Sequence, residues 1–394
     1  MTYISAYGMV NALGNNLDDI ARNLQQGKAP GLQVQTGWLQ DPESPLVVGR
    51  VLGELPPVPP HLKQHDSRNN RLLLAALAQI RPYTEQAIRQ YGHDRVAVIM
   101  GTSTSGLDEG DRYRSDVANN IENSHWHYAQ QELGDPSRFL RRYLNLSGPA
   151  YTLSTACSSS ARAIISGIRL IQAGLADVAL VGGADSLSRM PVNGFNNLES
   201  LSPELCQPFA CGRQGITIGE AGGLMLLTRD PQPLAVLGFG ESTDAYHISA
   251  PHPEGEGAIR AITMALSAAQ CLPQQVGYIN LHGTATPLND AIESKVIHEL
   301  FKDTVPCSST KHLTGHTLGS AGITEAGLCA LIMERGLMLP AQDFHRSPQD
   351  GSLPPCGLLT RPQPLERRVM LSNSFAFGGN NTCLILGDAA CLTI

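Results

Sequence analysis

Apolar residues along the chain follow two alternating rhythms. Short continuous runs at Val96–Met100, Val178–Gly182, Leu224–Leu227, Leu234–Leu237, Val276–Asn280 and Val369–Leu371 have the length and composition of buried strands. Over 72–90, 158–172, 257–270, 291–301 and 317–335 apolar positions return with helical period. Strands alternating with helices predict an α/β chain with sheets covered by helices. Pro82 lies inside the first helical stretch, where its missing N–H predicts a break. Turn chemistry at Asp230-Pro231-Gln232-Pro233 predicts a boundary between halves 1–231 and 232–394. The proline-rich stretches 56–60 and 348–364 read as surface connections, and no sequence repeat is visible.

With 394 residues, 42% hydrophobic and 16% charged, the chain can bury a large globular core. No apolar run approaches the ~20 residues that span a bilayer. The amino terminus, Met1–Gly8, lacks a basic region followed by an apolar stretch, so a cytoplasmic location is expected. Nine dispersed cysteines without a C-x-x-C pair suggest neither a disulfide framework nor structural zinc. The net charge of -7 argues against nucleic-acid binding and means that an acidic protein partner would need a local basic patch. Arg68, Arg71, Arg141 and Arg142 are candidates for that patch, with solvated surface charge as their other reading.

Candidate chemistry centres on Cys157, in Ser154-Thr155-Ala156-Cys157-Ser158-Ser159-Ser160. An apolar helical pattern follows it, Ala161, Ile164, Ile165, Ile168 and Ile171, so the cysteine is expected at a helix amino end. There the helix dipole and unpaired N–H groups favour a thiolate. Alternatively, a free cysteine is often a small buried apolar residue. Three segments have the glycine-and-polar texture of active-site loops: His282–Pro287, Lys311–His316 and Asn373–Asn381. Each follows, or nearly follows, an apolar run, where open α/β proteins assemble sites.

In this order, with Gly101-Thr102-Ser103, Val181–Asp185, Pro208-Phe209, Gly212-Arg213 and Asp244–His247, these motifs resemble the elongating beta-ketoacyl-[acyl-carrier-protein] synthases of the thiolase-like superfamily. The resemblance spans nearly the whole chain. It implies two similar α/β halves in a five-layered α-β-α-β-α stack, with the site between them. It also implies decarboxylative Claisen condensation of an acyl group on Cys157 with a malonyl thioester. His282 and His316 would stabilise the enolate, and the backbone N–H groups of Cys157 and Phe377 the acyl oxyanion. Lys311 would pair with Glu325 and orient the His316 loop, while Glu293 is read as structural. Thr284 and Thr286 would bind the pantetheine arm, with loop capping as their other reading. Phe377 would gate the site, and Phe195 and Thr104 would line the acyl pocket. Synthases with long saturated substrates tend to place an apolar residue where Thr104 stands.

The resemblance implies no bound cofactor and no metal, since phosphopantetheine arrives on the acyl carrier protein. It implies a homodimer or a heterodimer with a related subunit. Ala376, Asn380, Cys211 and Gln214 depart from the family pattern and point away from housekeeping fatty-acid synthesis, toward a specialised pathway such as aryl-polyene assembly. The alternatives are a noncatalytic chain-length subunit, a cysteine-dependent thioester hydrolase and a thiolase. A thiolase needs a second active-site cysteine, for which Cys383 sits in an apolar run suited to the core.

Overall fold

In the computed structural model, residues 1–122 and 126–390 are described. The strands are β1 (Thr2–Val10), β2 (Leu32–Gln35), β3 (Leu46–Gly49), β4 (Val96–Gly101), β5 (Ala150–Leu153), β6 (Val178–Asp185), β7 (Ala221–Thr228), β8 (Leu234–Thr243), β9 (Tyr278–Asn280), β10 (Cys307–Ser308), β11 (Val369–Ala376) and β12 (Asn380–Asp388). The α-helices are α1 (Leu17–Gln26), α2 (Arg68–Tyr91), α3 (Leu107–Ala118), α4 (Asp135–Tyr143), α5 (Ser159–Gln172), α6 (Arg189–Asn197), α7 (Glu256–Ala269), α8 (Pro287–Phe301), α9 (Lys311–Thr314) and α10 (Ala321–Arg335).

Ten strands form one mixed sheet in the order β10-β9-β11-β12-β8-β1-β7-β6-β4-β5, while β2 and β3 pair separately. The order repeats about the β8–β1 junction. From β1 outward the pairings run antiparallel to β7, antiparallel to β6, then parallel to β4 and β5. From β8 outward they run antiparallel to β12, antiparallel to β11, then parallel to β9 and β10. This internal duplication left no trace in the sequence, because a pairing scheme constrains apolar character and not residue identity.

Helices α5 and α10 pack against each other and against strands of both five-stranded halves. Their apolar residues, Ala161, Ile164, Ile165, Ile168, Ile323 and Leu328, form the central core. Helix α2 covers the outer face of the first half and α7 that of the second, each with its own apolar cluster. The result is the thiolase-like stack of five layers. Strands β4, β6, β7 and β11 are buried along their full length, which accounts for their continuous apolar runs. At Gly322 an added Cβ would lie 2.7 Å from that of Ala161, so glycine lets the two central helices approach.

Two expectations are corrected. Helix α2 runs unbroken through Pro82. The proline and Ala78, whose carbonyl loses its partner, both lie on the exposed face, so the freed acceptor faces solvent and is not buried unpaired. Residues 373–376 are also strand, not loop, and only Phe377-Gly378-Gly379 turns between β11 and β12. Gly378 and Gly379 hold φ of 82° and 75°, which an L side chain rarely adopts.

Candidate active site

Cys157 sits on a sharp elbow between β5 and α5. Ala156 before it has φ of 51°, and the bend is held by Ser159, whose hydroxyl bonds the Thr155 N–H (2.9 Å) and the Ala156 carbonyl (2.6 Å). Ser160 Oγ accepts from the Ile323 N–H (3.0 Å), tying the elbow to α10. The thiol is buried.

Both histidines come from the second half. His282 follows β9, in a loop clamped by Glu293 of α8, whose carboxylate accepts the N–H of His282 (2.8 Å) and of Gly283 (2.7 Å) and the Asn373 amide (3.2 Å). Burial raises that carboxyl to about 7 against the pull of those donors. His316 crosses to the first half, where its N–H donates to the Thr217 carbonyl (2.6 Å) and its carbonyl accepts from Gly219 (3.0 Å). That crossing brings its Nε2 to 3.1 Å from Cys157 Sγ. The two imidazoles meet edge to face, 5.4 Å between centroids. Donor atoms of Cys157, His282 and His316 all lie within 4.8 Å of one another, so one reacting group can touch all three.

The Lys311 ammonium is buried and donates to Glu325 Oε1 (2.5 Å), to the His282 carbonyl (2.5 Å) and toward His282 Nδ1 (3.4 Å). An ammonium can only donate, so His282 Nδ1 accepts and the ring proton sits on Nε2. The Leu318 N–H likewise donates to His316 Nδ1 (3.3 Å), placing that ring's proton on the Nε2 that faces sulfur. Burial and the Lys311 charge hold both imidazoles well below their usual basicity, so both are neutral donors.

The thiolate expectation is corrected. Burial pushes the Cys157 thiol up to about 11, although Lys311 and the N–H groups of Phe377 and Cys157 pull it down. Helix α5 begins at Ser159, and the thiol just outside its first turn loses more from desolvation than the dipole returns.

Cys157 lies where two cavities meet. One, of about 310 Å³, holds both histidines, Thr284, Thr286 and Asn289. The other, also about 310 Å³, is lined by Ser103, Thr104, Leu107, Met190, Pro191 and Leu318. Cys157, Phe195 and Phe377 line both. Thr284 and Thr286 bond each other through their hydroxyls (2.9 Å) while facing the first cavity. Thr104 lines the second, but its hydroxyl is turned to Asp185 (2.7 Å). Cys383 lies in β12, in the outer core of the second half, and does not line either cavity.

Sequence reasoning gave no role to two buried carboxylates. Asp185 accepts from Thr102, Ser103 and Thr104 on one side and from the Ser320 N–H (3.0 Å) on the other, binding the halves beside Cys157. Asp290 accepts the N–H of Phe209 (2.8 Å) and Ala285 (3.2 Å), and burial raises it to about 6. An acid ending an otherwise apolar strand, as Asp185 does, was the available signal. Of the arginines proposed for docking, Arg68 is drawn inward, while Arg141 and Arg142 are exposed and Arg71 is partly so, each with one intramolecular partner. Arg68 bonds buried Glu220, Arg71 pairs with Asp66 (2.7 Å), Arg142 bonds His65 (2.7 Å) and Arg141 bonds the Leu146 carbonyl (3.2 Å).

Comparison with known proteins agrees with this arrangement. Residues 63–232 match the beta-ketoacyl synthase N-terminal domain and 234–345 the beta-ketoacyl synthase C-terminal domain. Nodulation protein E of Rhizobium leguminosarum bv. trifolii is 32% identical over 405 aligned residues, covering 97% of each chain. The mitochondrial 3-oxoacyl-[acyl-carrier-protein] synthase of Arabidopsis thaliana is 37% identical, over 61% of this chain and 57% of that one. Among solved structures, the ketosynthase ApeO in complex with its chain length factor ApeC, from Xenorhabdus doucetiae, superposes with a TM-score of 0.97 at 64% identity over 98% of each chain.

Proposed function

The chain belongs to the beta-ketoacyl synthase family and is a condensing acyltransferase of the 3-oxoacyl-[acyl-carrier-protein] synthase class, and from that premise we propose that it extends an unsaturated, aryl-polyene-type acyl chain as the reactive subunit of a ketosynthase pair. The observation that carries the residue roles is Cys157 Sγ 3.1 Å from a neutral, Nε2-protonated imidazole at the junction of two cavities.

In the first step an acyl thioester on the carrier protein's pantetheine arm exchanges onto Cys157. The Cys157 S–H proton passes to the departing pantetheine sulfur, and the His316 Nε2–H supports the attacking sulfur. His316 is therefore a donor and not the base, since its Nδ1 is already occupied. The acyl chain lies in the cavity under Thr104 and Met190. A malonyl thioester then occupies the cavity of Thr284 and Thr286. Loss of carbon dioxide leaves an enolate whose oxygen accepts the Nε2–H of His282 and His316. Its carbon attacks the acyl carbonyl, whose oxygen accepts the N–H of Cys157 and Phe377. Collapse frees the Cys157 sulfur, which takes a proton from solvent. Phosphopantetheine is delivered by the carrier protein.

A second subunit is favoured because Met190 lines the acyl cavity yet is 59% exposed, so that cavity opens toward the surface. ApeO is paired with a chain length factor, and so is the ishigamide ketosynthase. Retention of Cys157, His282 and His316 argues that this chain is the reacting member.

The test offers the protein, with and without a related chain-length subunit, a panel of saturated and conjugated acyl carrier proteins plus malonyl carrier protein. Mass spectrometry should find acyl-Cys157 and a product two carbons longer, with conjugated chains preferred when the subunit is present. Free acid without condensation, or no label on Cys157, would sink the reading.

A further inference from the structure

The wall of the acyl cavity is built from both halves of the chain. Ser103, Thr104 and Leu107 come from the first half, after β4, and Leu318 comes from the second, in the turn that follows His316. The two stretches touch. A Cβ added at Gly319 would stand 2.7 Å from each of Ser103 N, Ser103 Oγ and Asp185 Oδ2, so glycine lets the turn close against the 102–104 stretch. Asp185, at the end of β6, is buried behind this seam and does not itself line the cavity. Its Oδ1 accepts the N–H groups of Ser103 and Thr104 (2.8 Å each) and the Thr104 hydroxyl (2.7 Å), while Oδ2 accepts the Ser320 N–H (3.0 Å). One carboxylate thus fastens both edges. With its hydroxyl committed to Asp185, Thr104 has only its methyl to offer the cavity.

The second edge needs such a fastening. Leu318 holds φ of 51°, which an L side chain rarely adopts, and lines the cavity while its N–H donates to His316 Nδ1 (3.3 Å). A turn of this kind persists only where its surroundings hold it, and the Asp185–Ser320 bond is one such hold. Resting on the ketosynthase reading above, we infer that Asp185 is a positioning residue that closes this seam and thereby restricts the acyl cavity to unbranched chains. A wall that cannot part has no room for a methyl branch, whereas an extended or flat chain lies along it.

The experiment measures kcat/KM for acylation of Cys157 by straight-chain and methyl-branched acyl pantetheine thioesters of equal carbon number, using the full chain. Wild type should prefer the straight chain by about tenfold or more. In Asp185→Asn an amide NH2 cannot accept the Ser320 N–H, so the seam opens and the preference should fall to within about threefold. Thr104→Val keeps the side-chain volume and loses one bond to Asp185. It should move the preference the same way by a smaller factor, and it decides the matter where Asp185→Asn does not fold. A preference unchanged in the folded variants, with both thioesters slowed together, would make Asp185 a structural residue only and overturn the inference. So would a wild type that accepts branched and straight chains alike. Failure of Cys157 to take an acyl group from either thioester would instead count against the ketosynthase reading, so the two failures are distinguishable.

Discussion

Phe377 and Phe195 meet with ring centroids 5.5 Å apart and planes inclined 44°, at the boundary between the two cavities that share Cys157. Phe377 precedes a turn of two left-handed glycines, whereas Phe195 lies in α6. The gating role expected of Phe377 can be tested separately from that of its neighbour.

Phe377→Ala should join the cavities and admit water to acyl-Cys157. Loading of Cys157 persists, condensation falls by about tenfold, and free acid becomes a substantial product. The ratio of extended product to free acid, followed by mass spectrometry, checks this. An unchanged ratio would remove Phe377 from the gate.

The two histidines should separate in single-turnover assays. His282→Ala leaves the His316 contact to sulfur intact, so acyl-Cys157 still forms while release of carbon dioxide from malonyl carrier protein falls by about 10²–10³. His316→Ala removes the donor at 3.1 Å from Sγ and should slow both steps. Equal slowing of loading by both variants would contradict these roles.

Much of this site was legible in the sequence because its parts are local. A cysteine between an apolar run and a helical pattern, and histidines beside glycines after strands, can each be seen in a short window. The elements that join those parts were not legible. Nothing near His316 announces that its backbone would pair with Thr217 and Gly219 in the other half. Asp185 gave no sign that it would gather donors from both halves, and Arg68 none that it would be committed to Glu220. The thiol's protonation failed for a different reason: helix dipole is read from position, but desolvation depends on what the fold packs around the sulfur.

Pro82 offers a stability test of one such misreading. Pro82→Ala would restore an N–H to the Ala78 carbonyl without disturbing the core, since both residues are exposed. The variant should be more stable by about 1–3 kcal/mol, measured by denaturant unfolding, with unchanged activity.

Lys311 and Glu325 form a buried pair, so removing one partner strands the other. Lys311→Met should cost about 3–5 kcal/mol, and adding Glu325→Leu should recover much of it. A purely structural role would stop there. Because the ammonium also faces His282 Nδ1, its loss should raise the His282 pKa and populate the Nδ1–H tautomer, visible by ¹⁵N NMR of the ring. The double variant should keep that altered tautomer and its low kcat even with stability restored.

The raised Cys157 thiol has two consequences with pH. A thiol near 11 is thiolate in about one molecule in 10⁴ at pH 7, so alkylation by a small iodoacetamide probe should speed up about tenfold per pH unit between 7 and 10, without the plateau near pH 9 of an ordinary cysteine. Stability moves the other way. The folded thiol holds its proton more tightly than the unfolded one, whose value is 9.0, so its contribution is complete below pH 9 and is lost as pH rises from 9 to 11. Cys157→Ala lacks that group, and its unfolding free energy should fall less steeply than wild type across that window, by about 3 kcal/mol in total. Parallel curves for the two proteins, together with an alkylation plateau near pH 9, would show an unshifted thiol, and a plateau already reached below pH 7 would return the site to a preformed thiolate.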